Sequence, residues 1–386
     1  MKRTLSALVI ALSISAPAAA QEIKLAWNDR PSLRVGDWLR VDIRARVQSD
    51  VRRSPLDEVR DDTEAARRRV GIEGRVGKFV DYQVEYEIGA GEWRDVYLDY
   101  RQFKPVQVQA GTFKVPFGLE ETTGITKLDF VYRSSTSSRL APGRAPGVMV
   151  HGKVLKSRLE YEAGIFSRDG DNARPAKSTR VSGEETAAAR LAFEPFHGSK
   201  REISKLRVGV AATIAALPVG LPSVRAKTAF GAPFFDSDVY VQGRRQRTGL
   251  EAQWRPGPIT VQAEYIRLTD ERRGQAIEGE DLSPLVARGW YISGTYRRGP
   301  FEAASRFETL SFGDTSGNTD ASTSRRAEIV LGNYDRAITF GVNWYVNRWV
   351  RLQANLIREQ LLDPTLGPLP ERPTFWSRVL RIQVAL

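Results

Sequence analysis

The stretch DWLRVDIRARVQSD, residues 37–50, decides how the rest of the chain is read. Leu39, Val41, Ile43, Ala45 and Val47 alternate with Arg40, Asp42, Arg44 and Arg46. Successive side chains of an extended strand point to opposite faces, so such a strand is apolar on one side and mostly guanidinium on the other. The fold is set by what lies against each of those faces.

The same period of two runs through most of the sequence, and helical spacing is hard to find. RVGIEGRV carries Val70, Ile72 and Val76 on one face, and DYQVEYEI carries Tyr82, Val84, Tyr86 and Ile88. VQVQAGTF, ITVQAEYI, ITFGVNWY and RVLRIQVAL repeat the scheme further along. Many antiparallel strands with one apolar face follow.

Composition narrows where such strands can sit. The 386 residues include 58 Lys and Arg against 46 Asp and Glu, two His and no Cys. The lack of Cys excludes a disulfide-bonded extracellular domain and thiolate metal sites. MKRTLSALVIALSISAPAAA reads as a secretory signal peptide over residues 1–20, with small residues Ala18 and Ala20 before the cleavage point. Residues 21–37 then form a short periplasmic lead-in, and 38–386 the main body. An exported chain has no nucleic acid to meet, despite its basic balance. Beyond the signal no apolar run reaches the roughly 20 residues of a membrane helix. Any membrane crossing has to be made by strands.

Connector lengths point to such crossing. Short links (GKFV, QFKP, LKS, RPGP, VNR) alternate with long polar segments at 51–66, 112–146, 167–185, 269–288 and 360–375. Short turns on one side and long loops on the other are the habit of an outer-membrane barrel. Starting from an outward first strand, the parity of the turns makes 247–255 the tenth strand and 214–246 one long outer loop, with a possible strand at 224–230 assigned to the loop. Strands 11 to 16 fall near Ile259, Trp290, Phe301, Arg336, Val350 and Trp376. RRGP, residues 297–300, falls on the outer side in this count and breaks the alternation. Trp38, Trp254, Trp290, Trp344, Trp349 and Trp376 lie near strand ends, where interfacial girdles sit. The fold expected is all-β, a transmembrane antiparallel barrel of about 16 strands. A periplasmic β-sandwich fits less well, because its second faces would have to be less uniformly charged.

Catalysis has little to stand on. His151 and His197 stand alone, without the Ser and Asp companions of a nucleophilic triad. SRDGDN, residues 167–172, has oxygen ligands but lacks the spacing of a calcium loop. No cofactor or metal is expected. A binding or hydrolytic β-protein, with Glu251 and Glu264 as an acid/base pair, is the rival reading. Charge patterning is more informative. Opposite the apolar faces, the first strand carries Arg40, Arg44 and Arg46, the second Arg69 and Arg75, and the last two Arg351 and Arg381. Closure of the last strand on the first joins these into one basic wall. Glu85, Glu87, Asp95, Asp99, Glu251 and Glu264 follow around the lumen as an acidic lining.

VQVQAGTFKVPFGLEE, residues 106–121, resembles the segment that marks the phosphate-selective porins O and P. The stretches 67–92 (RRRVGIEGRVGKFVDYQVEYEIGAGE), 140–152 (LAPGRAPGVMVHG), 163–172 (AGIFSRDGDN) and 338–359 (ITFGVNWYVNRWVRLQANLIRE) resemble the same family in the same order. The resemblance implies a sixteen-strand barrel in the outer membrane of a Gram-negative bacterium, assembled as a homotrimer. It also implies a third outer loop, here 112–146, folded inward with Lys114, Lys127, Arg133, Arg139 and Arg144 as its cations. The chain departs from the family in ending on Leu386 rather than an aromatic, in lacking an N-terminal heptad pattern, and in offering no position-by-position match to the arginine ladder of the best-known members. The function expected is passive diffusion of small hydrophilic solutes, anions such as phosphate among them, with outer-membrane lipid as the surrounding partner.

Overall fold

The computed structural model describes residues 23–27, 29–55, 62–170, 172, 185–198, 205–222, 228–231, 240–275, 279–312, 334–362 and 373–386. Residues 1–20, read from the sequence as a signal peptide, lie outside them. Two short strands come first, β1 (Ile23–Trp27) and β2 (Pro31–Val35). The barrel begins with β3 (Leu39–Arg53), β4 (Asp62–Val76), β5 (Val80–Glu87), β6 (Glu92–Phe103) and β7 (Val106–Lys114). It continues with β8 (Arg144–Val154), β9 (Leu159–Phe166), β10 (Thr186–Phe193), β11 (Leu206–Pro222) and β12 (Tyr240–Trp254). β13 (Ile259–Arg272), β14 (Leu282–Arg298), β15 (Phe301–Phe312), β16 (Tyr334–Tyr345), β17 (Val350–Leu362) and β18 (Thr374–Ala385) complete it. Each of these sixteen pairs antiparallel with the next, and β18 returns to β3 with Arg378 opposite Arg53 and Ala385 opposite Arg46.

The alternation in sequence becomes an inside and an outside. On β18 Ser377, Val379, Arg381 and Gln383 are buried, while Trp376, Leu380, Ile382 and Val384 are exposed. On β15 Glu302, Ala304, Arg306 and Glu308 point in. Leu380 is 59% exposed and Val342 55%, a degree of apolar exposure that makes sense against hydrocarbon. Slipping a strand by one residue would turn its guanidiniums into lipid, at about 2–4 kcal/mol each near the midplane.

Three details depart from the sequence reading. β11 runs to Pro222 and β12 starts at Tyr240, so 214–222 and 240–246 are strand rather than outer loop, while most of the possible strand at 224–230 lies outside the described residues. The inward positions at the top of these strands, Ala215, Leu217 and Val241, are apolar because loops pack on them inside the barrel. That erases the polar alternation and hides the strands. RRGP also falls in phase. β14 is the twelfth barrel strand and extends through Arg298, so the turn to β15 lies on the side of the other short turns, with Gly299 at φ 59° closing it. Last, the lead-in is a hairpin. β1 pairs with β2, and β2 pairs with β3 from Ser32 opposite Asp42 to Val35 opposite Leu39, below the point where β18 ends. It covers a strand edge that would otherwise stand bare. Asp29 ties the hairpin down through Arg348 (2.8 Å), and its carbonyl accepts from Trp349 Nε1 (2.6 Å).

Candidate pore constriction

The third outer loop, residues 115–143, leaves the top of β7 and folds into the barrel. It contains two short helices, α1 (Leu119–Thr122) and α2 (Ser135–Leu140). Phe117 turns it inward, and Gly118 allows the turn. Gly118 has φ 77°, and any Cβ there would collide with Glu264 Oε1. The chain approaches Glu264 because that carboxylate accepts from the backbone N–H of Leu119 (3.1 Å) and Glu120 (3.3 Å), the open donors at the start of α1.

One flank of the loop is fastened to the wall β12–β18. Phe117, Leu140 and Ala141 share an apolar cluster with Ile266, Leu268, Leu285, Leu310 and Leu361. Most of the loop's polar contacts lie on the same side. Val131 N–H donates to Asn355 (2.7 Å), Arg381 donates to Val131 O (2.8 Å), Asn343 donates to Asp129 O (2.7 Å) and Arg247 donates to Leu140 O (2.7 Å). Glu120 ties the loop internally. It accepts from Ser134 N–H (2.9 Å) and Oγ (2.6 Å), and from Arg306 of the wall (3.1 Å). Asp169, at the base of the fourth outer loop, sits between Arg245 (3.0 Å) and Arg247 (2.9 Å). Burial alone would raise its carboxyl, but the two guanidiniums hold it below the usual range.

The other flank is left open. Between the loop and the wall β3–β9 lies a cavity of about 450 Å³. Its lining holds eight cations (Arg44, Arg46, Arg67, Arg69, Arg94, Lys114, Arg133 and Arg144) and four carboxylates (Glu85, Asp95, Glu121 and Glu162). The carboxylates position the cations. Glu85 is approached by Arg69 (3.0 Å), Arg46 (3.6 Å) and Arg44 (3.8 Å), and Arg44 also reaches Glu73. Asp95 takes Arg144 in a two-point contact, both distances 3.0 Å. Arg133 donates to the carbonyls of Glu120 (3.1 Å) and Thr123 (2.9 Å), and Lys114 to those of Glu121 and Thr123. Burial alone would raise Glu121, but Arg133 and Lys114 keep it below the usual carboxylate range. Wall carboxylates and loop carbonyls thus hold these cations in the cavity lining.

Several residues expected in the pore are elsewhere. Arg381 and Arg351 are buried beneath the loop, Arg381 against Asp50 at 2.6 Å and Arg351 beside Gln353 at 3.1 Å. The basic wall therefore does not extend across β17 and β18, because the loop covers it there. Glu251 is buried against Arg190 (2.5 and 3.0 Å), and Glu264 is the cap described above, so neither lines this cavity. Glu87 is occupied by Arg69 (2.6 Å). Arg40, with Asp42 at 3.2 Å, and Arg75, with Asp81 at 2.6 Å, lie beside the short-turn end of β3 and β4 and outside the cavity lining. Asp99 pairs with His151 (2.9 Å) and His197 with Glu194 (2.8 Å), which gives both histidines structural partners. Arg139 turns away from the cavity and donates to Thr228 O (3.3 Å), while Lys127 is exposed outside the lining. Lys114 and Arg144 line the cavity from strand ends rather than from the loop.

Arg67 and Arg94 belong to the lining and were missed. Arg67 is two positions before Arg69, so carrying the alternation one step further finds it. Arg94 is hidden by a β-bulge. Val84 pairs with Val96 but Tyr86 with Trp93, so Arg94 and Asp95 together oppose Glu85 and both reach the lumen.

A closed sixteen-strand barrel with a lipid-facing apolar exterior, a charged lumen and an inward third loop defines an outer-membrane porin. The family model of the phosphate-selective porins O and P matches residues 41–365, and the chain belongs to that family. A comparison with curated proteins finds no match. Among solved structures, OmpT of Vibrio cholerae superposes with a TM-score of 0.61 at 10% identity, over 94% of this chain and 100% of that one. OmpF of Salmonella typhi, in complex with daunomycin, gives 0.60 at 10% identity over 91% and 98%. Another structure of the Vibrio OmpT, described as a trimer form, gives 0.57 at 12% identity over 91% and 100%. These likenesses carry the fold. With the family they make the protein a channel of a Gram-negative outer membrane.

Proposed function

We propose that the channel passes small hydrophilic anions by passive diffusion, inorganic phosphate among them. The observation that carries this reading is the lining of the passage, where eight cations face four carboxylates. The guanidiniums are braced by carboxylates and carbonyls, so they stay in place as a solute goes by. Water fills such a passage, so selectivity comes from the summed field and not from one tight site. Reversal potentials across a planar bilayer under a salt gradient test it. Chloride and phosphate should each outrun potassium, and a cation-preferring zero-current potential would overturn the reading.

The same proposal has residues 1–20 direct export and the mature chains assemble as a homotrimer. Copies fit best along β5–β9, where the shortest strands make the lowest wall and Leu98, Val148 and Ile165 stand exposed. Native mass measurement of the purified protein should return three chains. A monomer that still conducts would remove the assembly from the reading.

A further inference from the structure

One arginine of the cavity lining is braced unlike the others. Arg69 has Glu85 (3.0 Å), Arg133 has Glu121 (3.3 Å), Arg144 has Asp95 (3.0 Å), and Arg44, Arg46 and Arg94 each reach a carboxylate as well. Arg67 does not. Among the described residues it has no carboxylate partner, and its hydrogen bond goes to a neutral group, Nη1 donating to Gln48 Oε1 (3.2 Å). The charges that act on it most strongly are Arg381, Arg69 and Arg133, all of its own sign. Asp50, which offsets them, is already held by Arg381 in a two-point contact, both distances 2.6 Å. A long side chain repelled by three neighbours would swing away into open water. Arg67 stays in the lining.

What holds it crosses the barrel seam. Gln48 on β3 stands opposite Arg67 on β4 and, on its other side, opposite Gln383 on β18. A guanidinium only donates, so Gln48 turns its amide oxygen to Arg67 and its amide nitrogen away. That nitrogen donates to Gln383 Oε1 (2.6 Å). With both ends of the amide engaged, its orientation is fixed. Both glutamines are buried and neither belongs to the cavity lining, so they do not touch a passing solute. A carboxylate at position 48 would hold the guanidinium equally well and cancel its charge. The amide holds it and leaves the charge whole.

We propose that Gln48, anchored by Gln383, is a positioning residue for anion preference, presenting Arg67 to the passage as a braced cation with its full charge available to a solute. The proposal rests on the anion reading above. It also ties selectivity to closure of the barrel, because the anchor comes from the last strand.

Chloride-to-potassium permeability ratios, read from reversal potentials in a potassium chloride gradient, test this, with the heat-modifiable band as the check on folding. Gln48→Met keeps the bulk but offers Arg67 no amide oxygen, and should lower the ratio at least twofold. Made on top of Arg67→Gln, the same change should lower it no further, since no guanidinium is left to position. Gln383→Met removes the anchor and leaves Gln48 in place. It should lower the ratio in the same direction, and it decides the matter if Gln48→Met does not fold. An unchanged ratio in either variant that folds overturns the proposal, as does an equal drop from Gln48→Met with and without Arg67. A wild type that prefers potassium overturns the anion reading itself, and this proposal with it.

Discussion

Arg381 and Asp50 meet across the barrel seam in a two-point contact, both distances 2.6 Å, and the third guanidinium nitrogen donates to Val131 O of the inward loop at 2.8 Å. One side chain therefore fastens the last strand to the first and the inward loop to both. Both partners are almost fully buried, which makes the pair costly to break from one side. Arg381→Met should destabilise the barrel by about 3–5 kcal/mol, because Asp50 is left as a buried, unpaired carboxylate. The temperature at which the folded band shifts on a denaturing gel should fall, and adding Asp50→Asn should recover most of it. An unchanged transition in the single variant would refute the role.

Glu264 ties the loop to the opposite wall at the start of α1. Glu264→Ala removes the acceptor of two buried N–H groups, at about 1–3 kcal/mol for each. Glu264→Gln keeps an oxygen in place and should cost less. The expected signature is a current through Glu264→Ala that flickers between levels while Glu264→Gln stays quiet. Equal noise in both variants would mean that the loop does not depend on this cap.

Much of this was legible in the sequence, and the reason is geometric. A strand between lipid and water has to alternate, so Leu39 to Val47 and Leu380 to Leu386 disclose both their structure and their orientation. The alternation also put Arg44, Arg46 and Arg69 on the lumen side. What it could not disclose is which part of the lumen the loop fills. Arg351 and Arg381 have the same pattern as Arg44 and Arg46, yet they are buried because the loop lies over β17 and β18. Glu251 and Glu264 look like pore carboxylates for the same reason. The loop's choice of side rests on Phe117 and Leu140 meeting Leu268, Leu285 and Leu310, a long-range match with no local signature. Where those inward leucines break the alternation, strand ends were misread as loop.

Deleting residues 122–138 should raise single-channel conductance, since the segment occupies the half of the lumen along β12–β18. The deletion also removes the contacts of Val131 and Asp129 with Asn355, Arg381 and Asn343, so it should lower the unfolding temperature as well. Conductance equal to that of the wild type would place the narrowing somewhere other than this loop.

The two ends of the basic wall should differ in effect. A pair of unit charges about 4 Å apart in water interacts by about 1 kcal/mol, and salt screens over roughly 8–10 Å. Charges in the narrow cavity therefore act on a passing ion, while those at a wide mouth are screened. Arg67→Gln with Arg94→Gln should move the zero-current potential toward cations, most clearly at low salt. Arg40→Gln with Arg75→Gln should leave it close to the wild type. If the two double variants shift it equally, the constriction is not the selective element.

The loop also contains a group that titrates near neutrality. Asp129 is half-buried beside Glu302, and loss of solvent first, then the neighbouring carboxylate, pushes its carboxyl up to about 7 from 3.8. Asn343 holds this stretch of the loop beside Glu302, donating to the backbone carbonyl of Asp129 (2.7 Å) and to the Glu302 carboxylate (2.8 Å). With the folded value above the unfolded one, the docked loop retains a proton that the released chain has given up between about pH 4 and about pH 7. Docking is therefore favoured at low pH, and that advantage is lost as pH rises through about 7. Channel flicker should increase from about pH 5 to about pH 8 in the wild type. Asp129→Asn cannot ionise, so its flicker should be nearly independent of pH and resemble the quiet, low-pH wild type. A variant that keeps the wild-type pH dependence would assign the effect to another group.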